Sequence, residues 1–362
     1  MEKIRAAVIG LGRIGSLLEE DALREKPCTH AGAISANEDC ELVAGCDIEE
    51  ERRRLFAERW ASAREISLKK TNDNEKIAVY SDAQEMIRIH KPQILSIATH
   101  PDSHCHYCCL ASKMNVPVII CEKPLADNIE DARKIVSLTE KKDGPIIIIN
   151  HERRYSKDYS MAKSILKEGR LGDIISVRAV LYMGRTRKIV NMLWDDGTHL
   201  ADIVMFLTDS VLKHNKSFGA DLEEKSGTAW LEGQLFQNNF AQKHKDKKLS
   251  PEKFIPIMFE IGAGRDHLVF EIEFSLENGR LKIGNGVFEV WESAPSPYAE
   301  NFRSLKNTGE VFEGPTGYFA NMLKDAAACV RDPKRSPVSG AADGLRVIEY
   351  LDSVKKWKST VE

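Results

Sequence analysis

The chain has 362 residues, a net charge of -3 and 42% apolar composition. That length exceeds what one core usually holds, so two domains are expected. The weak negative balance argues against a nucleic-acid partner, which calls for a basic footprint, and no apolar run is long enough to span a bilayer. The opening MEKIRAAVIGLGRIG lacks the long apolar core and cleavage site of a signal peptide, which predicts a soluble cytoplasmic protein. Its eight cysteines are then expected to be thiols.

The first half alternates short apolar runs with amphipathic ones. IRAAVIG (Ile4 to Gly10) predicts a buried strand. GLGRIG follows at once, with Gly10, Gly12 and Gly15 in G-x-G-x-x-G spacing around Arg13 and Ile14. The first glycine permits a tight turn, the second lets backbone approach a pyrophosphate, and the third lets the next helix pack against the strand. ELVAGCD (Glu41 to Asp47) is a second strand ending on an acid, placed to bind ribose hydroxyls and repel a 2′-phosphate. The gap between glycines and acid is long, and Ser16 to Thr29 is the extra piece, either a solvated excursion or a flap. A charged helix over Ile48 to Trp60, a polar loop from Ser62 and a helix beginning near Ser81 and stopped by Pro92 come next. Strands at Gln93 to Thr99, in VPVIICEKP and at Pro145 to Asn150 alternate with helices in SHCHYCCLASKMN and NIEDARKIVSLTEKK. Strands joined by helical crossovers predict a parallel sheet with ligands at its C-terminal rim. Gly10, Asp47, Thr99, Glu122 and Asn150 fall on that rim.

HPDSHCHYCC (His100 to Cys109) concentrates histidine and cysteine at the start of one helix. His104 and Cys108 stand four apart, but no other ligand set completes four-coordination. The helix is therefore read as packed with small thiols, and no metal is expected. In the second half, Leu171 to Gly184 predicts a strand, and Thr198 to Leu207 a helix with His199 in its first turn, where the dipole disfavours imidazolium. Further strands are expected at TAWLEGQLF, PIMFEIG, HLVFEIEFSLENGRLKI and NGVFEVWES, with a hairpin at Glu277-Asn278-Gly279. A solvated basic loop is expected at FAQKHKDKKLSPEKF, and two helices close the chain, GYFANMLKDAAACVRD and ADGLRVIEYLDSVKKW.

AAVIGLGRIG, ELVAGCD, IATHPDSH, VIICEKPLADN, NHERRY and DDGTHLAD occur in that order. Together they resemble the Gfo/Idh/MocA oxidoreductase family. The resemblance implies an N-terminal Rossmann domain (1–150) and a C-terminal α/β domain (151–362). The latter carries a large open, mostly antiparallel sheet, binds substrate and mediates oligomerisation, with its last helix packing across the junction. It implies an NAD(P)-dependent enzyme interconverting a secondary alcohol and ketone on a sugar, sugar derivative or cyclitol. The expected cofactor is NAD, with NADP disfavoured by Asp47, and the expected assembly is a homodimer or homotetramer.

The same resemblance implies the site residues. Lys123, Asp195 and His199 are the expected catalytic group, with the proton acceptor either His199 or Lys123. Gly10, Gly12, Arg13, Ile14, Gly15, Asp47, Thr99, His100, His104, Glu122 and Lys123 are expected at the cofactor. Arg153, Arg154, Tyr155 and Trp194 join Lys123, Asp195 and His199 at the substrate, with Arg178, Tyr182 and Arg185 as further neighbours. For the arginine pair, ion pairing at the domain connection is an equal alternative. His100 and Pro101 depart from the family pattern. A non-catalytic dinucleotide sensor of the same fold is the alternative function.

Overall fold

The computed structural model describes residues 2–67, 77–237 and 254–357. The chain divides into two compact units, Met1–Ser156 with Pro315–Leu345, and Lys157–Gly314 with Arg346–Glu362. The boundary expected near residue 150 thus has a counterpart at Ser156, but the segment Pro315–Leu345 returns to the first unit. The second division falls inside the last helix, after Leu345.

The first unit is built on six parallel strands: β1 (Ile4–Ile9), β2 (Cys40–Cys46), β3 (Ala78–Tyr80), β4 (Ile94–Ile97), β5 (Val118–Cys121) and β6 (Ile146–Ile149). Their order is β3-β2-β1-β4-β5-β6. Strands such as ILSI and VIIC are buried throughout, as a sheet covered on both faces requires. The order reverses at β1, and such a switch point opens a crevice at the carboxyl ends of the strands.

The crossovers are α1 (His30–Ala36), α2 (Glu50–Ser67), α3 (Ala83–His90), α4 (Pro101–Lys113) and α5 (Ile129–Thr139). Three starts are fixed by side-chain caps: Thr29 accepts from Gly32 N, Asp82 from Gln84 N and Asn128 from Asp131 N. Helix α2 runs seven residues past the expected Trp60, so the loop expected from Ser62 is helical to Ser67, and its remainder lies outside the described residues. The core of this unit includes Phe319, Met322, Leu323 and Ala326 of α9 (Tyr318–Arg331), packed with strand residues such as Val8 and Ile120.

The second unit contains α6 (Lys157–Glu168), α7 (Ile189–Asp195) and α8 (Gly197–Thr208) against an eight-stranded sheet. Its strands are β7 (Ile174–Tyr182), β8 (Ser210–Gly219), β9 (Gly227–Gln237), β10 (Phe254–Ala263), β11 (Val269–Leu276), β12 (Gly279–Gly284), β13 (Val287–Pro295) and β14 (Arg303–Asn307). The order is β14-β13-β12-β11-β7-β10-β9-β8, antiparallel except where β10 meets β7. Period-two alternation explains the two faces of β11: Phe270, Ile272, Phe274 and Leu276 are buried, whereas Glu271 and Glu273 face outward. Leu268, which precedes the strand, is 53% exposed. Of α10 (Ala341–Trp357), residues Val347, Tyr350, Leu351 and Val354 join this core. The expected basic loop lies outside the described residues except Phe254, which opens β10. No helix of the described residues is long and apolar enough to cross a membrane.

Candidate active site

The glycine turn after β1 is set by sterics. Gly10 has φ +87°, and a Cβ there would lie 2.5 Å from the Ala98 carbonyl oxygen. A Cβ on Gly15 would lie 1.9 Å from the Gly10 oxygen, so only glycine lets the following turn pack this closely. Gly12 is different: a Cβ there would meet nothing nearer than Arg52 Nη1 at 3.8 Å. The space beside its backbone is clear of protein atoms, as a close approach by a pyrophosphate would require. The following residues form a tight coil in which Ser16 N and Leu17 N both donate to Gly12 O. Arg13 and Ile14 lie in this coil between Gly12 and Gly15.

Asp47 follows β2 and is 5% exposed. Its Oδ2 accepts from Leu11 N at 2.8 Å and its Oδ1 from Glu49 N at 2.9 Å. The acid therefore braces the glycine turn and retains lone pairs for a ribose hydroxyl. Arg52 Nη1 stands 3.6 Å from Oδ2, a neighbour that motif reasoning did not single out.

Glu122 leaves β5 on the same rim and its side chain is 8% exposed. Oε1 accepts from Asn150 Nδ2 at 2.5 Å and lies 2.8 Å from His30 Nε2, while Oε2 accepts from Lys123 N at 3.3 Å. Burial opposes the charge on Glu122, but the His30 and Asn150 contacts and the Lys123 ammonium outweigh it and hold the carboxyl below its usual range. Lys123 itself is partly exposed. Burial pushes the nearby Glu152 carboxyl up, against the opposing charges of Arg153 and Lys123.

The extra segment is exposed over much of its middle but tethered at several points. Glu19 Oε2 accepts from Thr29 Oγ1 at 2.7 Å and Cys28 N at 3.1 Å, tying its start to its end. Glu25 accepts from Thr316 N and Oγ1 and from Gly317 N, just before α9.

The histidines at the start of α4 are redirected. His100 is 88% exposed and makes no side-chain cap. His104 is fully buried, its ring nitrogens facing Pro124 O at 3.0 Å and Thr99 O at 3.1 Å. The ring thus sits between the Thr99 loop and the Lys123–Pro124 turn, and burial lowers its pKa against the raising effect of the two carbonyls. Cys105 and Cys108 are buried, as the small-thiol expectation requires. Among the described residues, no group of three or more histidine, cysteine or acidic side chains converges on one point.

The basic pair after β6 splits. Arg154 is 7% exposed, with Nη1 3.0 Å from Asp343 and 3.1 Å from Val338 O. Tyr155 is buried and its hydroxyl donates to Asp325 at 3.1 Å. These side chains turn inward and hold the segment after α9, with Arg154 in an ion pair. Arg153 is partly exposed beside Glu152.

In the second unit, α7 ends at Asp195 and α8 begins at Gly197. His199 is the third residue of α8, 8% exposed, and its backbone N–H donates to Asp196 O. Asp195 is half-exposed and pairs with Arg187, which also pairs with Asp196 at 3.2 Å. Trp194 is partly buried against the core. Arg178 and Tyr182, expected near substrate, both bind Glu260 on the outward sheet face, at 2.6 and 2.5 Å. Arg185 pairs with Asp266 at 3.2 Å.

Residues 4–151 match the model of an oxidoreductase family with an NAD-binding Rossmann fold, Gfo/Idh/MocA. The chain is 25% identical over 218 residues to inositol 2-dehydrogenase of Salmonella typhimurium, which spans 59% of this chain and 57% of that protein. It is 27% identical over 185 residues to D-apiose dehydrogenase of Paraburkholderia graminis, spanning 48% and 44%. The matched segments thus span about half the length of these curated relatives. A crystal structure of a putative NADPH-dependent oxidoreductase from Desulfitobacterium hafniense superposes with a TM-score of 0.72 at 15% identity, covering 98% of this chain and 95% of that one. At that identity the likeness is one of fold.

Proposed function

We propose that the protein, whose residues 4–151 match the Gfo/Idh/MocA oxidoreductase family model, is an NAD-dependent dehydrogenase. It interconverts a secondary alcohol and a ketone on a sugar, sugar derivative or cyclitol. The names of its relatives, inositol 2-dehydrogenase and D-apiose dehydrogenase, support that substrate class. The observation that carries the proposal is Lys123, on the carboxyl rim of the glycine-turn sheet with its backbone held by the buried Glu122.

In the oxidation direction, His199 accepts the hydroxyl proton, and the start of α8 favours its neutral form. The Lys123 ammonium hydrogen-bonds the reacting oxygen and lowers the cost of alkoxide character there. Asp195 sets the local charge at the α7–α8 junction. Bound NAD supplies the hydride acceptor. Arg153 and Trp194 are the proposed substrate contacts that remain. NAD is preferred over NADP because the Asp47 carboxylate would repel a 2′-phosphate, a preference that Arg52 weakens. The proposed working form is a homodimer or homotetramer. The outward face of the second sheet pairs charges such as Arg178–Glu260 and Lys282–Glu271, which lowers the cost of covering them.

The test is NAD reduction across inositols, sugars and sugar acids, repeated with Lys123→Ala. Turnover that Lys123→Ala abolishes with NADH affinity retained is the expected result. Tight NADH binding with no turnover of any compound would favour a non-catalytic sensor instead.

A further inference from the structure

We propose that His30 is a positioning residue for Lys123, acting through the buried Glu122 carboxylate. This rests on the role given to Lys123 above. The chain of contacts is short. His30 Nε2 and Asn150 Nδ2 both grip Glu122 Oε1, at 2.8 and 2.5 Å. That leaves Oε2 directed at the Lys123 backbone N–H, 3.3 Å away. The tilt of one carboxylate therefore fixes the backbone from which the lysine side chain departs.

His30 is itself held from several sides. It is the first residue of α1, and its N-cap Thr29 donates to Glu19 and accepts from Gly32 N at 3.0 Å. Its ring meets Phe319 edge-on, with centroids 5.5 Å apart. The extra segment ending at Thr29 therefore sets the ring position that Glu122 reads. A pair kept only for stability would normally satisfy all its polar atoms. Here His30 Nδ1 and Asn150 Oδ1 are buried with no hydrogen-bond partner among the described residues. The arrangement favours orientation of Glu122 over complete satisfaction of its neighbours.

The experiment compares wild type, His30→Ala, His30→Gln and Glu122→Gln as the full chain. Lys123 acetylation by acetic anhydride is followed by peptide mass spectrometry, with exposed Lys113 as internal reference. Turnover is measured on the compound found active in the screen. His30→Ala should change the Lys123 labelling rate severalfold relative to Lys113. It should also lower kcat by about a hundredfold, the scale of a small misplacement at a reacting group, with KM for NAD unchanged. His30→Gln, which can still offer an N–H to Oε1, should recover most of both. Unchanged labelling in a folded His30→Ala overturns the proposal, as does a loss of thermal stability without a change in kcat. If His30→Ala does not fold, Glu122→Gln decides: labelling must change there as well, or the proposal fails. Full turnover in Lys123→Ala would instead reject the role of the lysine, whatever the labelling shows.

Discussion

Arg154→Met separates a ligand-binding arginine from a structural one. The guanidinium is 7% exposed and its Asp343 partner 21%. Removing one member of a buried pair costs about 3–5 kcal/mol, because the remaining charge loses its compensating partner in a desolvated site. The partial exposure of Asp343 places the loss near the lower end. In a domain of this size each kcal/mol moves the midpoint by about 2–4 °C, so a drop of roughly 6–12 °C is expected. Circular dichroism melting gives the shift, and hydrogen exchange should localise it to residues 338–343, where Ser339 O accepts from Ile149 N. Adding Asp343→Asn should restore part of the loss, since it removes the charge that Arg154 balanced. An unchanged midpoint with a raised KM for substrate would refute the reasoning and return Arg154 to the binding site.

Gly12→Ala should leave the melting temperature near wild type while weakening NADH binding in a fluorescence titration, because the added methyl meets no protein atom closely. Gly15→Ala should lower both, since its methyl must displace the Gly10 carbonyl; equal behaviour of the two would contradict the turn geometry. The His214 imidazole is pushed down to about 4 by burial. Between that value and the unfolded value near 6.5 the unfolded chain binds the extra proton, so stability of the second unit should fall as pH drops through this window. Melting curves of His214→Gln across the window should show a smaller slope. Burial pushes the Cys40 thiol up to about 11 and Cys46 up to about 12, and Cys109 alone is not fully buried. Native-state alkylation at neutral pH should therefore modify Cys109 first, and equally fast labelling of Cys46 would contradict the packing.

Where pattern and environment agree, the sequence was an accurate guide. The buried parallel strands and the alternation of β11 are written in apolar periodicity. Strand β8 and strand β14 were not, because each is a sheet edge with a mostly exposed, polar pattern. The return of α9 to the first unit was invisible for another reason: periodicity names the buried face of a helix but not what will cover it. The site divides in the same way. Lys123 and Asp47 are marked by motif and strand end. His30 meets Glu122 across 92 positions of sequence, a pairing no local pattern encodes. For Arg154 the sequence left ion pairing and substrate contact open, because residue type does not reveal which way a guanidinium turns.

The return of Pro315–Leu345 to the first unit also orders events in time. Ribosomal synthesis delivers Met1–Ser156 long before Tyr318–Arg331, whose Phe319, Met322 and Leu323 belong to the same core. Until that helix emerges, the nascent Rossmann sheet lacks part of its apolar covering. The intervening second unit has its strands and α6 to α8 in one uninterrupted stretch, though Val347, Tyr350, Leu351 and Val354 of α10 join its core later still. The N-terminal domain is therefore made first and finished late, so its exposed face is where a chaperone would be needed during synthesis.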